Sequence, residues 1–214
     1  MAIRDRVLAH QGAYHWFKAA IGAQRTMEVI ARDYVRAKPG QSLLDIGCGD
    51  GDIRPLFAGV DYTGVDFNAD YIRVARRMED DHTRFEVGDI TALSGIDRVS
   101  AERYDLCYAF GVLHHLSNAE ADAMLRSARG LLRPGGRLIT VDAVFDPDQS
   151  TVARVLAATD RGRYVRDEWG YRALLEQVFG PCDLTIRTDL LRIPYSHCIT
   201  ECWNDPPSPD RRSA

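Results

Sequence analysis

The residues best placed to do chemistry begin at Asp45-Ile46-Gly47-Cys48-Gly49-Asp50-Gly51, where three glycines alternate with small or polar residues directly after an apolar run. Glycine tolerates left-handed backbone and carries no side chain, so such a turn lets the main chain approach a ligand closely. Asp66 follows nineteen positions after Gly47, at the end of a second apolar run. A carboxylate at that distance suits the vicinal hydroxyls of a ribose. The dinucleotide fingerprint requires a third glycine where Asp52 stands, and Asp50 and Asp52 would repel a pyrophosphate. The turn therefore suits a nucleoside without phosphates. The positive end of the helix expected after it would meet a carboxylate, and the acids would meet an ammonium.

Three further groups have usable chemistry. His114 and His115 follow a strand, and an imidazole titrates near neutral pH, so either is a candidate general base; packing is the alternative role. Tyr195 and His197 share one face of a late strand by alternation, where core packing and acceptor contact are equally open. Arg161, Arg163 and Arg166 flank Tyr164 in a long connection, either as a clamp for an anionic group or as a solvated face. His197, Cys198 and Cys202 are the only ligand-like cluster, but adjacent strand residues point to opposite faces, so no metal is expected.

The elements that must position these residues are legible from periodicity. Strands are predicted at Ser42–Ile46, Asp61–Asp66, Thr83–Val87, Tyr104–Phe110, Arg137–Val144, Cys182–Thr188 and Tyr195–Cys202. Helices are predicted on both sides of Gly22 within residues 13–37, at Asp52–Phe57, after Asp66 with Tyr71 and Ile72 toward the sheet, and from Ser150 to Ala158. Another is expected from Asp167 to Phe179. Ser117 and Glu120 form a capping box that opens a further helix, ended by Arg133-Pro134-Gly135-Gly136. Alternating strands and helices imply a parallel α/β sheet, and two last strands without a helix between them imply an antiparallel excursion at one edge. One domain is expected over residues 1–204. Residues 1–40 are read as a helical lid or as packing for the sheet, with Tyr14, His15, Trp16 and Phe17 as its aromatics. Residues 146–166 are read as a substrate-side insertion, and 205–214 as a disordered tail.

Composition narrows the setting. The 214 residues carry a net charge of −4, with 45% hydrophobic and 27% charged residues. Nothing there favours nucleic acid, and no apolar run is long enough to span a membrane. Five scattered cysteines form no disulfide framework, so reduced thiols and a cytoplasmic location are expected.

These motifs together resemble class I S-adenosylmethionine-dependent methyltransferases. Asp45–Gly51 is similar to the first motif of that family, Gly64-Val65-Asp66 to the second and Gly88-Asp89-Ile90 to the third. Tyr104–Leu116 is similar to the fourth, and Leu131–Leu138 to the segment after it, so the resemblance covers about residues 40–145. It implies a Rossmann-like doubly wound sheet of seven strands, order 3-2-1-4-5-7-6, with the seventh strand antiparallel. It also implies S-adenosylmethionine as cofactor. Asp45, Gly47, Cys48 and Gly49 would line its methionine part, Asp66 would hold the ribose and Phe67 would pack beside it. Asp89 and Ile90 would take the adenine, and the backbone of Phe110 and Gly111 the ammonium.

The expected activity is methyl transfer to an oxygen, nitrogen or carbon of a small molecule, with His115 and His197 as candidate bases. His114, Arg161, Arg163, Tyr164 and Tyr195 are candidate acceptor contacts. A nucleotide-dependent oxidoreductase on the same sheet and a non-catalytic cofactor-binding regulator are the rivals. The missing third glycine argues against the first. The fourth motif lacks the Asn/Asp-Pro-Pro-Tyr signature of enzymes that methylate nucleic-acid amines.

Overall fold

The computed structural model describes residues 22–159 and 163–205. The aromatics at 14–17, Arg161 and the tail from residue 206 onward lie outside the described residues. Eight strands form one sheet: β1 (Ser42–Ile46), β2 (Asp61–Asp66), β3 (Thr83–Val87), β4 (Tyr104–Phe110), β5 (Leu132–Phe145), β6 (Arg166–Asp167), β7 (Asp183–Arg187) and β8 (His197–Trp203). Their order is β3-β2-β1-β4-β5-β8-β7, with the two-residue β6 paired to the end of β5. This is the expected order, its last two numbers raised by one because of β6. The pairs among β1 to β5 are parallel, and β8 runs antiparallel to both β5 and β7.

The helices are α1 (Ala23–Ile30), α2 (Ala69–Ala75), α3 (Asp97–Ser100), α4 (Asn118–Leu131), α5 (Thr151–Thr159) and α6 (Glu168–Phe179). Because strand side chains alternate, each strand feeds two cores. Leu43, Tyr62, Phe85, Leu106, Ile139, Val141 and Ile199 pack with Ile30 of α1 and with Ile72 and Ala75 of α2. Leu44, Ile46, Val65, Cys107, Ala109 and Leu138 pack with Met124, Leu125 and Ala128 of α4 and with Tyr171, Leu175 and Val178 of α6. The sheet is thus covered on both faces, as parallel strands require.

Local signals explain several boundaries. The capping box at Ser117 and Glu120 is formed, and it fixes where α4 starts; such a cap contributes about 1 kcal/mol. Gly22, at φ 85°, stands at the start of α1, and α1 continues into a π-helical turn, Ala31–Val35. Arg137 of β5 donates to the carbonyls of Tyr34 and Val35 at the end of that turn and pairs with Glu201 at 2.6 Å. One side chain thereby docks the first helix onto the sheet.

Four expectations are corrected. The helix over Asp52–Phe57 is only a 3-10 turn, Arg54–Leu56, because Pro55 falls where helical hydrogen bonding must start and a short crossover leaves no room. With no helix there, no helix dipole points at the glycine turn. Tyr71 faces solvent rather than the sheet; Ile72 and Ala75 take the buried stripe of α2. β5 begins at Leu132, since Pro134 and the glycines sit at a register shift beside β4 rather than ending regular structure. Cys182 and Cys202 form a disulfide, where free thiols were expected. The β7–β8 register places them directly opposite each other, a pairing invisible at a separation of 20 residues. Cys48, Cys107 and Cys198 are free and buried.

Candidate active site

All the parallel strands end at one edge of the sheet, and the motif residues collect there. At the end of β1 the chain turns through Gly47 (φ 76°) and Gly49 (φ 55°). Gly47 N and Cys48 N both donate to Val65 O, at 2.8 and 3.0 Å, which ties the turn to β2. A side chain at Gly47 would come within 2.7 Å of Val112 Cγ2, whereas one at Gly49 would meet nothing within 4 Å. The first glycine is therefore required by packing, and the second faces open space where a ligand can approach.

Asp66 ends β2 with one carboxylate oxygen accepting from Gly49 N at 3.0 Å and the other from Asn68 N at 2.8 Å. These bonds fix the carboxylate at the rim of the turn, and each oxygen keeps a lone pair for a hydroxyl. Phe67 beside it is 75% exposed, and Val87 at the end of β3 is also exposed. Asp89 and Ile90 follow. Asp89 accepts from Thr91 N and Oγ1 at 2.8 and 2.7 Å, and these bonds hold its carboxyl below the ordinary value. Phe110 closes β4 at 37% exposure. Large apolar groups left in water in one row at one edge mark a surface built to be covered.

Beneath the turn lies Asp45, 2% exposed, with the Tyr62 hydroxyl donating to it. Burial pushes the Asp45 carboxyl up to about 7, the Tyr62 bond opposes that rise, and the charge of Asp66 adds to it. Burial and the neighbouring acids also push the Cys48 thiol upward, so Cys48 is no nucleophile. Tyr108 pairs in register with Asp45, and its buried hydroxyl finds no partner among the described residues. The half of the edge made by β1 to β3 is thus acidic, with an open glycine, a fixed diol acceptor and exposed rings. It fits a cationic nucleoside.

The other half belongs to β4, β5 and β8. After Gly111 the chain makes a 3-10 turn, Leu113–His115. His114 is 5% exposed, and its Nδ1 lies 2.9 Å from Oδ1 of the buried Asp142 on β5. The His114 backbone N–H donates to the same oxygen at 3.2 Å. A carboxylate oxygen only accepts, so Nδ1 is the donor in this contact. A side chain at Gly111 would stand 3.5 Å from His114 Cε1, so the imidazole edge borders the backbone between the two halves.

His115, named with His197 as a candidate base, is exposed, and its ring lies tilted against that of His114 with the centroids 4.2 Å apart. Asp142 escaped sequence reasoning; its one signal was an acid at the end of an apolar strand, like Asp45 and Asp66. Tyr195 lies before β8 rather than on it, with its ring 4.9 Å from that of His197. His197 is buried at the same edge, since antiparallel β8 starts where β5 ends. Its partner in register is Ala143, one residue beyond Asp142, so His197 and the His114–Asp142 pair occupy opposite faces of the sheet. Tyr164 donates its backbone N–H to His114 O at 3.0 Å, and Arg163 beside it is exposed. Among the described residues no three His, Cys, Asp or Glu side chains gather as a metal site.

A family model described as a methyltransferase domain matches residues 44–138. An O-methyltransferase of Pyrenophora dematioidea is 31% identical over 168 residues, covering 70% of this chain and 60% of that protein. Phosphoethanolamine N-methyltransferase 3 of Arabidopsis thaliana is 27% identical over 165 residues, covering 74% of this chain and 32% of that protein. The chain therefore spans between about a third and three fifths of these relatives' own lengths. Magnesium protoporphyrin IX methyltransferase from Synechocystis, solved with bound SAH, superposes with a TM-score of 0.63 at 24% identity. That match covers 85% of this chain and 83% of the other, and the likeness is one of fold.

Proposed function

Because this chain belongs to the class I S-adenosylmethionine-dependent methyltransferases, we propose that it transfers the methyl group of S-adenosylmethionine to a hydroxyl oxygen of a small molecule. The observation that carries the choice of acceptor is the buried His114–Asp142 pair. An amine acceptor is nucleophilic once neutral, whereas a hydroxyl must lose a proton as it attacks. A carboxylate-held imidazole is suited to take that proton.

S-adenosylmethionine, when bound, supplies a methyl group made electrophilic by a sulfonium, and leaves as a neutral thioether. The chain's own part is placement and proton transfer. Asp66 accepts from the ribose hydroxyls, Phe67 and Ile90 cover the base and Asp89 accepts from its amino group. The open face of Gly49 admits the methionine portion, with the buried Asp45 carboxyl below it. His114 Nε2 receives the acceptor's hydroxyl proton, and Asp142 stabilises the imidazolium that results. Tyr164, Tyr195 and Arg163 contact the acceptor from the connection before α6 and from the entry to β8. His197 lines the same edge from the opposite face.

The test is transfer of an isotopically labelled methyl group to a panel of phenols, hydroxyacids and amines. His114→Ala should lower turnover by roughly 10²–10⁴-fold with unchanged affinity for S-adenosylhomocysteine, while His115→Ala stays near wild type. Unaltered turnover in His114→Ala would remove the base. Tight cofactor binding without transfer to any of the panel would favour a non-catalytic binder instead.

A further inference from the structure

The connection between α5 and α6 returns to the turn that carries His114 and grips it. Arg166 donates through Nη1 to Leu113 O and through Nη2 to Leu116 O, both at 2.8 Å, so its guanidinium spans the carbonyls on either side of the two histidines. Nε and Nη2 also reach Asn118 Oδ1, at 3.1 and 2.8 Å. The backbone of Arg166 and Asp167 forms β6 against Val144 and Phe145, two residues beyond Asp142. Arg166 Cζ lies 5.7 Å from the ring centroid of Tyr171, whose hydroxyl donates to Ala143 O at 2.8 Å. One residue is therefore bonded to the turn bearing His114 and paired with the strand bearing Asp142.

The fork matters here. Two parallel carbonyl bonds need the planar donor array of arginine, and a lysine ammonium can take up only one such position well. Among the described residues, the three-residue turn holds itself only through His115 N to Val112 O and Leu116 N to Leu113 O, and its own backbone reaches β5 only from His114 N to Asp142 Oδ1, so a brace from outside adds to its hold on that strand. From this juxtaposition we propose that Arg166 is a positioning residue for methyl transfer: it holds His114 in register with Asp142 without touching the reacting atoms. The inference rests on the reading of His114 as base given above. Its geometric content does not, and that allows the two to fail separately.

The first readout needs no acceptor. In protein with 15N-labelled histidine, the Nδ1–H of His114 should give a slowly exchanging imidazole signal, assigned by its loss in His114→Ala. We expect Arg166→Ala and Asp142→Ala to lose it, and Arg166→Lys to keep it weakened, with backbone amide signals remote from the turn unchanged. The second readout is turnover: Arg166→Ala should reduce kcat roughly a hundredfold, the scale of a misplaced catalytic group. Affinity for S-adenosylhomocysteine should remain within about twofold of wild type, and Arg166→Lys should recover part of the loss.

If Arg166→Ala fails to fold, Arg166→Lys decides alone, and wild-type signal and kcat there would overturn the proposal. A persistent His114 signal in a folded Arg166→Ala, or a lowered melting temperature with kcat intact, would overturn it too. The predicted signal pattern in a protein that methylates nothing would instead uphold the positioning and refute the proposed function.

Discussion

Asp45 offers the sharpest test of the site's electrostatics. Its carboxyl is buried below the glycine turn and raised from 3.8 to about 7, chiefly by burial. The folded protein therefore keeps a proton that the unfolded chain releases above pH 3.8. Between about pH 4 and pH 7 the native state binds more protons, so stability falls as pH rises. The full contribution is present below pH 3.8 and is gone once pH has passed about 7. A shift from 3.8 to about 7, at 1.36 kcal/mol per unit, amounts to ~4 kcal/mol. Asp45→Asn removes the titration and keeps an oxygen to accept from Tyr62. Urea unfolding of both proteins should be followed from pH 4 to pH 8. The stability of wild type relative to the variant should drop by that amount across the series, while other carboxylates cancel in the difference. A flat difference would show that Asp45 stays ionised in the fold and would refute the argument from burial.

Two other substitutions probe the frame around the site. Gly47→Ala forces a side chain into left-handed backbone and within 2.7 Å of Val112, so it should cost roughly 2–5 kcal/mol and abolish cofactor binding. Adding Val112→Ala should return only the packing share, read from the difference between the two melting temperatures. Cys202→Ser removes the Cys182–Cys202 link, which closes a loop of 20 residues, and should cost about 3 kcal/mol in urea unfolding. Thiol titration of the non-reduced, denatured chain should count three sulfhydryls, Cys48, Cys107 and Cys198.

Much of the proposed cofactor side was legible in the sequence because backbone would carry its function. Glycine at 47 and 49 and acids at the ends of β1 and β2 are local signals, and strand register alone brings them together. The acceptor side was not legible for the opposite reason. His114 and Asp142 lie 28 positions apart, and only the parallel pairing of β4 with β5 makes them neighbours. Choosing between adjacent histidines also needed burial, since a 3-10 turn has no alternation from which to read which ring points inward. Pairing of Cys182 with Cys202 depends likewise on the β7–β8 register. Pro55 is visible in the sequence, and a crossover that short cannot restart a helix after losing its first turn.

The reversed direction of β8 has a consequence for how the protein can change. Residues 188–196, between β7 and β8, belong to no helix or strand, yet they deliver Tyr195 and His197 to the rim of the sheet. Lengthening that link costs little closure entropy, and its anchors, the paired strands on either side, would stay put. Under the proposed function, new acceptors could be accommodated by rewriting this link while the proposed methyl-donor cradle, on the far strands, is left as it is.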